Sequence, residues 1–97
     1  MKIVTQKAVA CFLNGRNAKF NNTEVVTENG VSKMYLFGNL IAKIDHSVGG
    51  VMRITNAGWD SNTTKERLNG LPNVRINQKN FEWYLNGKAW NGTWIDV

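Results

Sequence analysis

Three basic residues, Lys33, Lys43 and Arg53, and two aromatic residues close to the first of them, Tyr35 and Phe37, have the types and spacing best suited to binding chemistry in this sequence. If segments 31–37, 39–45 and 51–55 are adjacent strands, alternation puts the three cations opposite Met34/Leu36, Leu40/Ala42/Ile44 and Met52/Ile54, with Tyr35 and Phe37 on the side of Lys33. A sheet face that mixes rings with cations suits single-stranded nucleic acid, because bases stack on rings while phosphates meet the charges. The same pattern also fits the solvated side of an amphipathic sheet, or a face on which a helix or second subunit covers Tyr35 and Phe37.

A second cluster lies in the stretch Ile54 to Pro72, where Thr63, Thr64, Lys65 and Arg67 gather at a predicted helix start. Free backbone N–H groups and the positive end of the helix dipole favour an anion such as phosphate there. Alternatively, the threonines cap the helix and Lys65 and Arg67 form its solvated side. A third cluster is Trp83, Trp90 and Trp94. These are either core or a binding platform, and Trp90 and Trp94, on either side of Asn91-Gly92, are the pair expected at a partner interface.

No catalytic constellation accompanies these groups, so the expectation is a protein that is not an enzyme, with no catalytic residue, metal ligand or cofactor. The single histidine, His46, stands beside Asp45 and reads as a surface residue. There is no Cys/His cluster, phosphate-cradling glycine motif or Asp-x-Asp array. The single cysteine, Cys11, has no internal disulfide partner and reads as a small buried apolar group in a reducing cytosol. A net charge of +5 favours acidic partners, namely nucleic acid, anionic lipid or an acidic protein surface. The charge is spread along the chain, with no basic tail. Polar Thr5, Gln6 and Lys7 interrupt the N-terminal apolar run, which excludes a signal peptide or a span, so no membrane partner is expected.

The elements that must position these side chains are mostly strands. Residues 3 to 13 are apolar and β-leaning and stop at Asn14-Gly15, a strong hairpin signal. Residues 23 to 45 read as a tight antiparallel meander with turns at Asn29-Gly30 and Gly38-Asn39, and VMRIT follows. Periodicity then breaks. Thr63 and Glu66 have capping-box spacing, Lys65 to Leu68 favour helix, Gly70 fits a C′ position, and Pro72 blocks continuation. Leu68 and Trp59 are expected to anchor this short helix to the sheet. Strands resume through NVRINQ, FEWYL and GTWIDV. The predicted fold is a single α+β domain, 1–97: a mainly antiparallel twisted sheet of about six to eight short strands with one short helix near residues 63–69.

The stretch Ala57-Gly58-Trp59, a Ser/Thr-rich cap, and TTKERLN from Thr63 to Asn69 resembles a motif shared by small bacteriophage accessory proteins, with a looser likeness at Tyr84 to Gly87. That resemblance implies a phage protein acting in the host bacterial cytosol by binding. The leading expectation is a nucleic-acid partner, contacted by Lys33, Tyr35, Phe37, Lys43, Arg53, Thr64, Lys65 and Arg67. The alternative is inhibition of a host enzyme or antiviral defence complex through Trp90 and Trp94. A small enzyme or ligand-sequestering homo-oligomer is a further alternative.

Overall fold

Thr5, Ala8, Val9 and Phe12 recur at intervals of three and four residues, the spacing of one helical face. In the computed structural model, which describes residues 1–97, they form the buried face of helix α1 (Ile3–Leu13). The expected strand at residues 3 to 13 is therefore corrected to a helix. Its β-branched residues lower helix propensity by only about 0.5 kcal/mol each, and packing a continuous apolar face outweighs that. Asn14-Gly15 ends the helix and does not turn a hairpin. Gly15 takes φ +67°, and the Arg16 N–H bonds to the Cys11 carbonyl at 2.9 Å, closing a Schellman cap. Cys11 is half-buried on this helix.

Six antiparallel strands follow the order β1-β2-β3-β4-β5-β9: β1 (Ala18–Phe20), β2 (Thr23–Glu28), β3 (Val31–Leu36), β4 (Asn39–Asp45), β5 (Val51–Ile54) and β9 (Ile95–Asp96). A separate antiparallel sheet contains β6 (Ile76–Lys79), β7 (Glu82–Leu85) and β8 (Lys88–Ala89). With α2 (Asn62–Leu68) the fold is α+β and mostly sheet, as expected, though with two helices and nine strands. The core lies between the helices and one face of the larger sheet. Val25, Met34, Ala42 and Ile54 pack with Ala8, Phe12 and Leu68, and the smaller sheet adds Ile76, Trp83 and Leu85. A bulge opposite Met34 and Tyr35 leaves Ile41 as the extra, buried residue and turns Leu40 to the side of Tyr35, correcting its expected inward position.

The junction around α2 keeps its expected place but uses different contacts. Ser61, not Thr63, is the N-cap, its Oγ accepting from the Thr64 N–H at 3.2 Å. Glu66 is therefore free to bond elsewhere. Gly70 is not left-handed. A Cβ there would lie 2.6 Å from Thr5 Cγ2, so its role is close approach between α2 and α1. Trp59 does not anchor the helix, being 60% exposed. No helix is long and apolar enough to cross a membrane.

Candidate functional site

The three cations expected on one sheet face do stand in one row. Lys33 pairs opposite Lys43, Lys43 opposite Arg53, and Arg53 opposite Asp96. Register also defines the rest of that outer face, because directly opposed residues point the same way. Lys19 faces Glu24, Glu24 faces Tyr35, and Val31 lies between Glu28 and Asp45. The face therefore holds four basic residues (Lys19, Lys33, Lys43, Arg53) and four acidic ones (Glu24, Glu28, Asp45, Asp96), and is close to neutral. Arg53 Nε bonds Asp96 Oδ1 at 2.7 Å, and hydrogen bonds from Ser47 hold the Asp45 carboxyl below its usual pKa. Tyr35 is half-buried on this face. Phe37 lies beyond the strand, in the turn after β3, at the edge of this face beside Lys19, Glu24 and Tyr35.

The helix start does not present its residues as expected. Thr64 and Arg67 are buried, at 1% and 4% exposure. Arg67 donates from Nε to Thr23 Oγ1 and from Nη1 to Thr5 Oγ1, both at 2.9 Å, and it also pairs with Glu66. Glu66 in turn accepts from the Thr5 hydroxyl and the Lys2 N–H. Partial burial alone would raise the Glu66 pKa, but these hydrogen bonds and the adjacent guanidinium outweigh it and hold the carboxyl below its ordinary value. Arg67 is thus a structural tie between α1, α2 and β2. Lys65 reaches the smaller sheet, with Nζ 2.8 Å from Gln78 Oε1 and 5.8 Å from the Trp83 ring centroid.

The aromatic residues form the most distinctive surface. Trp90 is buried, its ring tilted at 42° to that of Trp83 with centroids 6.1 Å apart, and its Nε1–H donates to the Thr93 carbonyl, so the expectation of an exposed Trp90 is corrected to core. Trp94 is 44% exposed, with Lys43 Nζ 4.9 Å from its ring centroid. Phe37, Trp59 and Phe81 join it at the surface, Phe81 at 95% exposure. Two cavities take these rings into their walls, and Asn56 lines both. One, of about 370 Å³, includes Phe37, Trp59 and Thr63 in its wall. The other, of about 640 Å³, includes Asp60, Phe81, Glu82, Trp83, Trp90 and Trp94.

Backbone geometry makes this exposure notable. Phe37 (φ +50°) and Phe81 (φ +65°) lie in the left-handed region, each within a two-residue hairpin loop closed by the pairs Leu36–Asn39 and Lys79–Glu82. Such turns favour Asn or Gly, and a bulky residue there carries steric strain. Burial does not offset the strain, because both rings face water. Phe81 and Trp59 were not among the residues expected from sequence to bind. The signal available for Phe81 is Asn80, a residue type that favours turns, since a two-residue loop there necessarily includes the next residue.

One further pair comes together only in three dimensions. His46 Nε2 lies 2.8 Å from Ser32 Oγ, which is 2.8 Å from Thr27 Oγ1. Ser32 is fully buried, so its hydroxyl links β2, β3 and the turn at His46 without facing a substrate.

A family model described as Kyanoviridae Gp96 protein matches residues 1–96 of the chain. No curated protein and no solved structure matches it.

Proposed function

The chain belongs to the Kyanoviridae Gp96 protein family, a bacteriophage family, and from that premise we propose that this phage protein is a non-enzymatic binding protein that docks on a host protein through its aromatic surface. The observation that carries the reading is that Phe37 and Phe81 are held exposed in left-handed turns, Phe37 in a cavity wall with Trp59 and Phe81 in a cavity wall with Trp94. Large exposed aromatics at strained positions give nothing to the core. They are the side-chain class that dominates binding energy when an interface covers them, with truncations costing about 2 kcal/mol or more. Inhibition of a host enzyme or antiviral defence complex is the activity such docking would serve. A tagged copy, incubated with nuclease-treated host lysate, should retain one protein in stoichiometric amount. Phe37→Asn with Phe81→Asn should lose it while remaining folded, and retention by that variant would sink the reading.

Nucleic-acid binding is the second reading, supported by the in-register row Lys33, Lys43 and Arg53. The four carboxylates on the same face weaken its pull on phosphate. If it holds, affinity for single-stranded DNA or RNA falls steeply with salt and collapses in Lys43→Glu with Arg53→Glu. Salt-insensitive binding would rule it out.

A further inference from the structure

We infer that the larger cavity seats a basic side chain, an arginine or lysine, of the docked partner. This rests on the docking reading above and names the chemistry its partner must present. Four aromatic residues contribute to the wall, and the only ionisable residues among them are the carboxylates Asp60 and Glu82. On a chain of net charge +5, the lining residues themselves thus carry only negative charge. The negative faces of indole and phenyl rings attract cations, and a nearby carboxylate strengthens that attraction. Two tryptophans of this wall already attract cations within the molecule: Lys43 lies over Trp94 and Lys65 over Trp83, though neither lysine lines the cavity.

The lining offers a phosphate or acidic side chain two carboxylates and no cation, which disfavours nucleic acid here. Trp83 adds a second observation. Its indole N–H is buried without an acceptor, whereas buried donors are ordinarily satisfied. The residue lines this cavity, so its wall includes a donor with no partner inside the molecule. Of the two cations, arginine fits better, because a planar guanidinium stacks on rings and forks onto a carboxylate.

The test uses the whole chain and a defined probe, N-acetyl-arginine amide, with N-acetyl-citrulline amide as its uncharged counterpart of the same shape. Both are titrated while the indole N–H resonances of Trp83, Trp90 and Trp94 are followed by NMR. The arginine probe should shift these signals saturably, with citrulline about tenfold weaker or more, and Asp60→Asn with Glu82→Gln should weaken arginine binding about tenfold. Equal binding of the two probes, no saturable shift, or unchanged affinity in the double variant overturns the inference. Its failure is distinguishable from failure of the docking reading. A host protein captured equally by the double variant leaves docking intact and removes the basic-side-chain pocket. Saturable arginine binding without a captured partner does the reverse.

Discussion

Arg67 Nε donates to Thr23 Oγ1 at 2.9 Å across 44 residues of sequence, joining α2 to the second strand of the main sheet from a buried position. The same guanidinium reaches Thr5 on α1 and Glu66 beside it, so one side chain closes the helix layer onto the sheet.

Arg67→Met should therefore destabilise the protein strongly, by about 3 kcal/mol, because it strands the partly buried Glu66 carboxylate and leaves buried hydroxyls short of a donor. Arg67→Lys should recover little, since one ammonium does not reproduce the fork. Chemical denaturation of both variants measures this. Near-wild-type midpoints would mean that the guanidinium is replaceable there.

Acid should act on the same junction. The Glu66 pKa is lowered in the folded state, so on acidification the unfolded chain takes up the proton first. The stability this carboxylate contributes is present above its ordinary value of 4.5 and is lost as pH falls from there through the lower folded value. Urea midpoints measured between pH 7 and pH 3 should fall over that acidic range. Glu66→Gln should start lower at pH 7 and fall less.

Gly92 has φ +87°, and a Cβ on it would lie 2.0 Å from Asn56 Nδ2, while its carbonyl accepts from the Asn56 N–H at 2.9 Å and the Thr55 hydroxyl at 2.6 Å. Gly92→Ala should cost the left-handed penalty of about 1 kcal/mol plus the clash. Adding Asn56→Ala removes the clash but not the penalty. A thermal-melt double-mutant cycle should show the pair less destabilised than the sum of the single changes.

Phe37→Asn should separate stability from binding. It creates Asn-Gly at a left-handed turn, the favoured pair for that geometry, so the melting temperature should hold or rise, equivalent to about 0.5 to 1 kcal/mol of relieved strain. Host-protein capture should drop at the same time. A drop in stability would show that the ring packs on something the fold needs.

The meander was legible because each of its strands buries one face. Val25, Met34, Ile44 and Met52 alternate with polar partners, and Asn29-Gly30 fixes a two-residue turn, so the pairing of β2 with β3 follows from pattern and turn length together, whereas Lys33 meets Lys43 only because of the bulge at Ile41. The N-terminal helix was legible too, in the spacing of Thr5, Ala8, Val9 and Phe12, but β-branched composition and Asn14-Gly15 pointed the other way. An Asn-Gly pair supplies left-handed backbone equally well to a hairpin and to a helix end. Only the element it joins decides between them.

The sequence by itself determined the strand alternation of the meander, its Asn29-Gly30 turn and the place of the short second helix, because these depend on residues within a few positions of one another. Tertiary structure alone decided that Arg67 is buried while Phe81 is not, that the outer sheet face is nearly neutral, and that Asp60 and Glu82 meet four aromatic residues around one cavity. Those outcomes depend on which distant segment arrives opposite a side chain. A guanidinium reads as solvated until Thr5 and Thr23 close over it, and a phenylalanine reads as core until no segment does.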